Sequence, residues 1–394
     1  MPTDRGRWPR ALVAAALAAL APARAAADPV LAFAGAPRET IYNARVDRCE
    51  PVDTPDIAPA TFRDASGEIV MFGLHYVNRA LRGPDPGHLK IDCHVALNSG
   101  LSADPAAYDD RRYIAAVWTL DGKRVTALVH HEYHGETHKA CPAGDYMACW
   151  YNSVLSFSSM NGGRDFSMDK PAVVASAPFG QAEHQGRHRG FFNPSNIVSD
   201  GKHEYFMSST TGWPGQPQGV CLFRSSNPHD SASWRAFDGK DFTIHFADPY
   251  ARGGAGSPKP CAIIEPFLFP VQTIVRHRGD GVWIAVWMAT KNDRQFPVDG
   301  FYYATSRDLK SWSPPKLLRA GATIHHNPCS GSLIAYPSLV DETSRGRVFD
   351  EVGDSPWLYF ADIETHGCET GNRVLVRERM KISASPEPRA GARP

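Results

Sequence analysis

The chain lacks most of the short motifs by which an enzyme class is recognised from sequence. It contains no G-x-S-x-G nucleophile elbow, no glycine-rich phosphate loop and no EF-hand calcium loop, which sets aside the protein classes built on those motifs. It has no C-x-x-C pair either, so a zinc site is the weaker interpretation of its cysteines. No segment has the period of a long amphipathic helix, and this absence favours a fold built from strands.

Neither charge nor hydropathy indicates a nucleic-acid or membrane partner. Without residues 1–26, the chain has 38 Lys and Arg against 41 Asp and Glu, a balance near −3, which argues against polyanionic partners. No later stretch is apolar for the roughly 18 residues that a membrane-spanning helix needs. We therefore expect a soluble protein with no nucleic-acid and no membrane partner, and a monomer.

The amino-terminal 27 residues have the pattern of a signal peptide. A basic segment over residues 5–10 precedes an apolar segment over residues 11–21, and residues 23–25 read A-R-A, a cleavage signal. The sequence thus predicts a secreted or periplasmic protein.

All eight cysteines lie after this segment, an even number that favours disulfides in an oxidising compartment. The pair that closes the shortest loop is Cys141 with Cys149. Pairing between sequence neighbours is the simplest hypothesis for the other six: Cys49 with Cys93, Cys221 with Cys261, and Cys329 with Cys368.

A loose internal repeat of about 60 residues runs through the chain, with strand signals, a Gly-containing turn, more strand and a Ser/Asp/Asn-rich turn. The closing turn is clearest over residues 225–234 and 306–312, and looser over residues 159–166. A four-stranded sheet of this length buries both faces only by packing against neighbours. We therefore predict an all-β fold, a five-bladed β-propeller of four-stranded antiparallel blades over residues 28–382, followed by a disordered tail over residues 383–394.

Five-bladed propellers with Ser-x-Asp-Leu-x-x-Trp turns, as in residues 306–312, resemble the furanosidase-type glycoside hydrolases of families 43, 62 and 32. The resemblance covers residues 53–380 as architecture, and only short motifs match. It implies acidic residues at the start of the first strand in blades one, three and four, the last being a Glu close to a Pro. Glu265-Pro266 matches that motif, so the resemblance implies that Glu265 is the general acid.

The residues around Glu265 support this role independently. Ile263, Ile264 and Phe267 flank the carboxyl group, and we expect partial desolvation to raise its pKa and keep a proton on it. The alternative is a Glu that only hydrogen-bonds the backbone at a junction between blades.

The resemblance implies a base or nucleophile at the start of blade one, where the chain offers Asp53 and Asp56. Asp56 is nearer the strand and is our candidate, because cleavage of a glycosidic bond needs a second, ionised carboxylate. A capping or turn Asp is the alternative. In blade three the chain departs from the family pattern, since Asn193 or Asn196 stands where an Asp is expected; Asn193 is our candidate substrate contact.

Residues 129–138 read VHHEYHGETH, four histidines and two glutamates within nine residues. On a strand, His130, Glu132 and His134 point to one side and His131 and Tyr133 to the other. The spacing is not that of the H-E-x-x-H zinc helix. We interpret Glu132 as a catalytic residue that assists the acid, and His130, His131 and His134 as substrate contacts; a metal site and a purely structural strand end are the alternatives.

Further candidates lie on loops that lead to the predicted funnel. Arg187, with His188 and Arg189, precedes blade three, and His326 precedes blade five; both Arg187 and His326 are candidate substrate-binding residues. Trp213 and Tyr133 are candidates for stacking on sugar rings.

Taken together, these features predict a carbohydrate-active hydrolase that cleaves a polysaccharide or oligosaccharide, with no cofactor; a structural metal ion in the central channel is left open. Two alternatives stay open as well. One is a non-catalytic propeller that binds carbohydrate or protein, and the other is a polysaccharide lyase that uses the His/Tyr cluster of blade two.

Overall fold

A computed structural model describes residues 28–180, 186–251 and 259–384 of the chain. The predicted signal peptide, residues 183–185 of the loop before blade three, and residues 385–394 of the predicted tail lie outside this range. Within it, no helix is long and apolar enough to cross a membrane. The last strand extends to Ala384, two residues past the predicted end of the domain.

The described residues form 24 strands and two short 3-10 helices. At the amino end lie β1 (Pro29–Phe33) and β2 (Glu39–Asn43). The strands that follow fall into five groups along the chain, which we call units 1 to 5. Unit 1 comprises β3 (Ala60–Arg63), β4 (Ile69–Phe72), β5 (Asn78–Gly83) and β6 (Lys90–Leu97). After a 3-10 turn (Pro105–Ala107), unit 2 comprises β7 (Arg111–Trp118), β8 (Val125–His134), β9 (Trp150–Ser159) and β10 (Ser167–Ala175).

Unit 3 contains β11 (Arg189–Phe192), β12 (Val198–Ser199), β13 (Glu204–Thr210), β14 (Gly219–Ser225), a 3-10 turn (Ser231–Ser233), β15 (Arg235–Phe237) and β16 (Phe242–Ile244). Unit 4 contains β17 (Val271–His277), β18 (Trp283–Ala289), β19 (Gly300–Ser306) and β20 (Lys316–Ala320). Unit 5 contains β21 (Ser332–Val340), β23 (Trp357–His366) and β24 (Glu369–Ala384); the short β22 (Glu351–Val352) pairs with β17 of unit 4.

Within each unit the paired strands run antiparallel, and β11 and β12 of unit 3 both pair with β13. Strand pairing also links unit 2 to unit 3 and the amino end to unit 5. A short parallel pairing of β11 with β9 joins units 2 and 3 into one continuous sheet. At the other end, β1 pairs with β24, with Pro29 opposite Ala384. The first strand of the chain thus completes the last sheet, which holds the two ends of the fold together.

Five buried apolar clusters lie between consecutive units, and one of them joins unit 5 to unit 1. The packing therefore closes a ring. Middle strands of the units are buried on both faces, as in β18, where all seven residues are buried, because each sheet lies between two others. The predicted class, an all-β propeller, is confirmed. Each cluster has members from both of the units that it joins, for example Phe62 and Phe157, Val154 and Phe206, Met207 and Trp287, Phe301 and Phe360, and Met71 and Tyr359.

Four disulfides join all eight cysteines in the predicted neighbour pattern: Cys49–Cys93, Cys141–Cys149, Cys221–Cys261 and Cys329–Cys368. No cysteine is free, so the cysteines are not available as zinc ligands, and the weaker interpretation of them is wrong.

Candidate active site

Asp56 lies in the segment that leads into β3 and is held by side chains from the first and last units. The hydroxyl of Tyr336 donates to its Oδ1 over 3.1 Å, and the guanidinium of Arg373 contacts the same oxygen. On the other side, Nε2 of His75 lies 3.2 Å from Oδ2. Burial alone would lower the pKa of Arg373, but the Asp56 carboxylate raises it overall. Asp56 is thus one half of an ion pair whose carboxylate remains 17% exposed.

A distortion of β21 places Tyr336 against Asp56. The pairing register of β21 with β23 shifts between Ala335 and Ser338, and Tyr336 has a positive φ of 59°. Such an irregularity bends a strand and redirects a side chain, and it is found often beside functional sites. The phenol is therefore turned toward unit 1.

Glu132 is the second carboxylate of the site and lies near the end of β8. His130 Nε2 is 3.0 Å from its Oε1, and His134 Nε2 is 2.9 Å from its Oε2. Strand alternation puts these three side chains on one face, as predicted. Both histidine side chains are only 4% exposed and contact Glu132, so they support Glu132 and are not the exposed substrate contacts that we expected. Burial raises the pKa of Glu132, but the hydrogen bonds from the two histidines outweigh burial and hold it far below its ordinary value. Glu132 is therefore an ionised acceptor and not a proton donor at neutral pH.

The backbone of unit 3 fixes the orientation of His130. The N–H of Asn193 donates to Nδ1 over 3.1 Å, so in the neutral ring the proton is on Nε2, which faces Glu132. Asn193 itself adopts φ 49°, a conformation that Asn tolerates better than most residues. The structure thus places Asn193 beside the predicted cluster, through its main chain.

Aromatic and imidazole rings connect the two carboxylates. The Tyr113 ring centroid is 5.4 Å from that of His75 and 5.9 Å from that of His130. Burial raises the pKa of Tyr113 well above its ordinary value, and the charges of Glu132 and Asp56 raise it further. Burial also lowers the pKa of His75, while Asp56 and Glu132 partly oppose that shift. Both carboxylates therefore act on the same rings and belong to one site.

Four members of this site were missed by the sequence analysis: His75, Tyr113, Tyr336 and Arg373. Tyr336 interrupts an apolar run just before a proline, and Arg373 begins a stretch in which charged and apolar residues are interspersed. Each is therefore only a weak indication of a functional residue. The contact of Arg373 with Asp56 spans 317 positions, and only closure of the ring brings the two together.

Glu265 lies in the segment before β17 and is exposed. Its neighbours Ile264 and Phe267 are buried in the cluster between units 3 and 4. The predicted desolvation of its carboxyl group is wrong, because the apolar neighbours face the core and leave the carboxyl in solvent. Among the described residues, no hydrogen bond or ion pair connects Glu265 to Asp56 or Glu132.

His131 is not a substrate contact in this structure, contrary to our expectation. Its side chain is fully buried on the opposite face of β8, where its Nε2 accepts a 3.4 Å hydrogen bond from the N–H of Asp110 and its ring meets the edge of Tyr108. Tyr133 is 1% exposed, and Trp213 packs on the same core cluster. The Tyr133 ring supports the fold and is not free to stack on a sugar, whereas stacking on the half-buried Trp213 stays a prediction.

The remaining candidates lie on loops. Arg187 is exposed and its guanidinium donates to the carbonyl of Thr211. The His326 side chain is 59% exposed and its Nδ1 lies 2.6 Å from Asp299, with no described contact to Asp56 or Glu132. Within the described ranges, no group of three or more His, Cys, Asp or Glu residues is arranged to hold a metal ion.

Comparison with known proteins finds similarity among solved structures only; no protein-family model and no curated protein matches the chain. A thermostable family-43 glycoside hydrolase is 11% identical over 87% of this chain and 99% of its own, with a TM-score of 0.44. An α-L-arabinanase variant from Cellvibrio cellulosa is 12% identical over 82% and 92%, with a TM-score of 0.46.

A family 117 glycoside hydrolase produced by the marine bacterium Zobellia galactanivorans is 9% identical over 90% of each chain, with a TM-score of 0.49. These proteins are of the kind that the sequence motifs resemble. Because every one of the three TM-scores is below 0.5, the fold assignment rests on the sheets and interfaces described above.

Proposed function

We propose that this protein is a secreted or periplasmic glycoside hydrolase that cleaves a polysaccharide or oligosaccharide at the site formed by Asp56 and Glu132. The observation that carries the proposal is Asp56 itself: a partly exposed carboxylate ahead of the first strand of unit 1, paired with Arg373 and hydrogen-bonded by Tyr336. The four disulfides support an oxidising compartment.

Asp56 is the base or nucleophile of this mechanism. Its carboxylate, which is paired with Arg373, either takes a proton from the attacking water or attacks the anomeric carbon itself. Tyr336 fixes the direction of the carboxylate by donating to one oxygen, and His75 lies against the other. The distance from Asp56 to the proton donor in the complex decides between inversion and retention.

Glu265 is the proposed proton donor to the leaving oxygen. It precedes the first strand of unit 4 as Asp56 precedes that of unit 1, and its exposed side chain is open to a substrate. In the hydrolysis the glycosidic C–O bond breaks, Glu265 gives a proton to the departing oxygen, and water supplies hydroxyl to the anomeric carbon and its proton to Asp56. Asp56 then releases its proton to solvent and Glu265 takes one up from solvent, which restores both groups.

Glu132 acts by charge and position in this scheme. As an ionised group it has no proton to give, but it holds His130 and His134 in place. Its negative charge also lies where an oxocarbenium-like transition state gains positive charge, so it stabilises that state more than the neutral substrate.

The test uses the chain from residue 28 onward with arabinan, xylan, fructan and galactan as substrates, measuring reducing ends together with absorbance near 235 nm. Asp56→Asn and Glu265→Gln should each lower the rate by about 10²- to 10⁴-fold. The matched controls Asp293→Asn and Glu369→Gln replace exposed carboxyl groups elsewhere and should retain the parent rate.

The possible results separate the candidate functions. Reducing ends that disappear only with the two site variants support hydrolysis. Activity that survives Glu265→Gln places the proton donor elsewhere. An ultraviolet-absorbing product indicates elimination by a lyase, and no product with any substrate favours a binding propeller.

A further inference from the structure

A short loop next to the carboxylate site presents an exposed aromatic ring. The disulfide Cys141–Cys149 closes the loop, and Tyr146 within it is 47% exposed. Inside the loop the Asp145 carboxylate accepts the N–H of Met147 over 2.7 Å, and the N–H of Cys149 donates to the Asp145 carbonyl over 3.2 Å. The disulfide and the hydrogen bonds restrict the motion of this half-exposed ring. A ligand that contacts the ring therefore pays a smaller entropy cost on binding.

Tyr146 is the first of three rings in a row, which we call the aromatic ledge: Tyr146, Trp150 and His188. The Tyr146 and Trp150 centroids are 5.1 Å apart, and His188 stacks on Trp150 at 4.1 Å with planes 8° apart. Tyr146 also lies 5.1 Å from the ring of His134. These contacts back one side of Tyr146 and fix the direction of its ring.

Strand pairing places the ledge beside Glu132. Trp150 is the cross-strand partner of His134, and Asn152 is that of Glu132. His134 in turn bonds Glu132, and the His188 ring bonds the Asn152 side chain. Two independent links therefore connect the ledge to the carboxylate, so a sugar on Tyr146 lies next to the reacting unit.

The charges near Tyr146 are mainly negative. The His134 ring that contacts Tyr146 has the Glu132 carboxylate 2.9 Å from its Nε2 and the Glu136 carboxylate 3.1 Å from its Nδ1. Burial raises the pKa of the Tyr146 hydroxyl, and these two carboxylates raise it further. A uronic acid in this position is repelled by the Glu132 and Glu136 carboxylates on His134. A neutral sugar meets no such repulsion and offers C–H groups to the electron-rich face of the ring.

We infer that Tyr146 is a stacking platform for a neutral sugar residue of the substrate, presented by the loop of residues 141–149 and supported by Trp150 and His134. The inference rests on the proposed function for the identity of the ligand class, and it adds a specificity-determining residue to the site.

The test measures binding by calorimetry in the Asp56→Asn protein, so that no probe is cleaved, with Glu265→Gln as a second background if the first does not fold. The neutral probes are xylotetraose, arabinotetraose and galactotetraose, and the acidic probe is tetragalacturonate. Tyr146→Ala should weaken binding of the best neutral probe by roughly 5- to 10-fold. Tyr146→Phe keeps the ring and should bind as the background does, and Met147→Ala, at an equally exposed neighbour, is the matched control.

Several results overturn the inference: binding of no neutral probe, binding that is unchanged by Tyr146→Ala, or stronger binding of tetragalacturonate than of every neutral probe. The assay is independent of catalysis. If the parent protein hydrolyses nothing but neutral probes bind through Tyr146, the platform stands and the hydrolase proposal fails; if hydrolysis occurs and Tyr146→Ala has no effect on binding, the reverse holds.

Discussion

A fully buried histidine should make this protein unstable in mild acid. His131 is 0% exposed, and its ring lies against Tyr108 of the cluster between units 1 and 2. Burial, assisted by the nearby charge of Arg112, lowers its pKa from 6.5 to about 3. The unfolded chain therefore binds a proton at this histidine that the folded chain refuses between about pH 6.5 and pH 3. Stability must rise with pH across that window and fall as the solution is acidified.

The magnitude follows from the two pKa values. At pH 4.5 the solution is two units below the ordinary value of 6.5 and still above the folded value of about 3, so refusing the proton costs about 3 kcal/mol relative to pH 7. His131→Leu conserves volume and removes the titrating ring. It also deprives the Asp110 N–H of its acceptor, at a cost of about 1–3 kcal/mol that is the same at both pH values.

The assay is denaturant unfolding of the parent and of His131→Leu at pH 7.0 and pH 4.5, with the difference between the two pH values as the readout. We expect the loss of unfolding free energy on acidification to be smaller in the variant by about 3 kcal/mol. The control is His88→Leu, at a side chain that is 78% exposed. It should lose as much unfolding free energy between pH 7.0 and pH 4.5 as the parent does. An equal loss in the parent and in His131→Leu would refute the reasoning.

Two further predictions concern the scaffold of the site. Replacing both Cys141 and Cys149 by Ser opens a loop of eight positions and should lower the unfolding free energy by about 2.5 kcal/mol; thermal unfolding with and without reductant measures this, and a variant as stable as the oxidised parent contradicts it. Gly190→Ala places a Cβ 1.9 Å from the Asn152 carbonyl oxygen at φ +97° and should cost about 2 kcal/mol more than Gly201→Ala, which has φ +89° but nothing within 4 Å. Equal unfolding midpoints for these two variants would exclude the steric argument.

Patterns of residues close together in the sequence were sufficient to predict the fold class, the disulfides and the face of β8. The repeat of strand and turn signals indicates sheets that need neighbours on both faces, and the structure shows clusters between every consecutive pair of units. The disulfides join neighbours in sequence because each bridge links segments within one unit or next to it. The side of β8 that carries His130, Glu132 and His134 followed from the period of two alone.

The site is less local, and there the sequence was insufficient. It offered Asp56 as one carboxylate among several, without the Tyr336 and Arg373 that hold it, since those side chains arrive from a unit about 300 positions away only when the ring closes. It also treated Ile264 and Phe267 as cover for Glu265, although these two side chains are buried in the interface between units 3 and 4 while Glu265 is exposed.

The exposed ring of Tyr146 shows the same division. The sequence offered Tyr133 and Trp213 alike for stacking and did not single out Tyr146, because exposure depends on which surface a neighbouring unit covers. The amino-acid sequence by itself determined the strands, their turns, the cysteine pairs and the face of each strand, all of which depend on residues close together in the chain. Tertiary structure decided which carboxylates share a site, which rings face solvent and which histidine is buried, because these depend on packing between units that are distant in sequence.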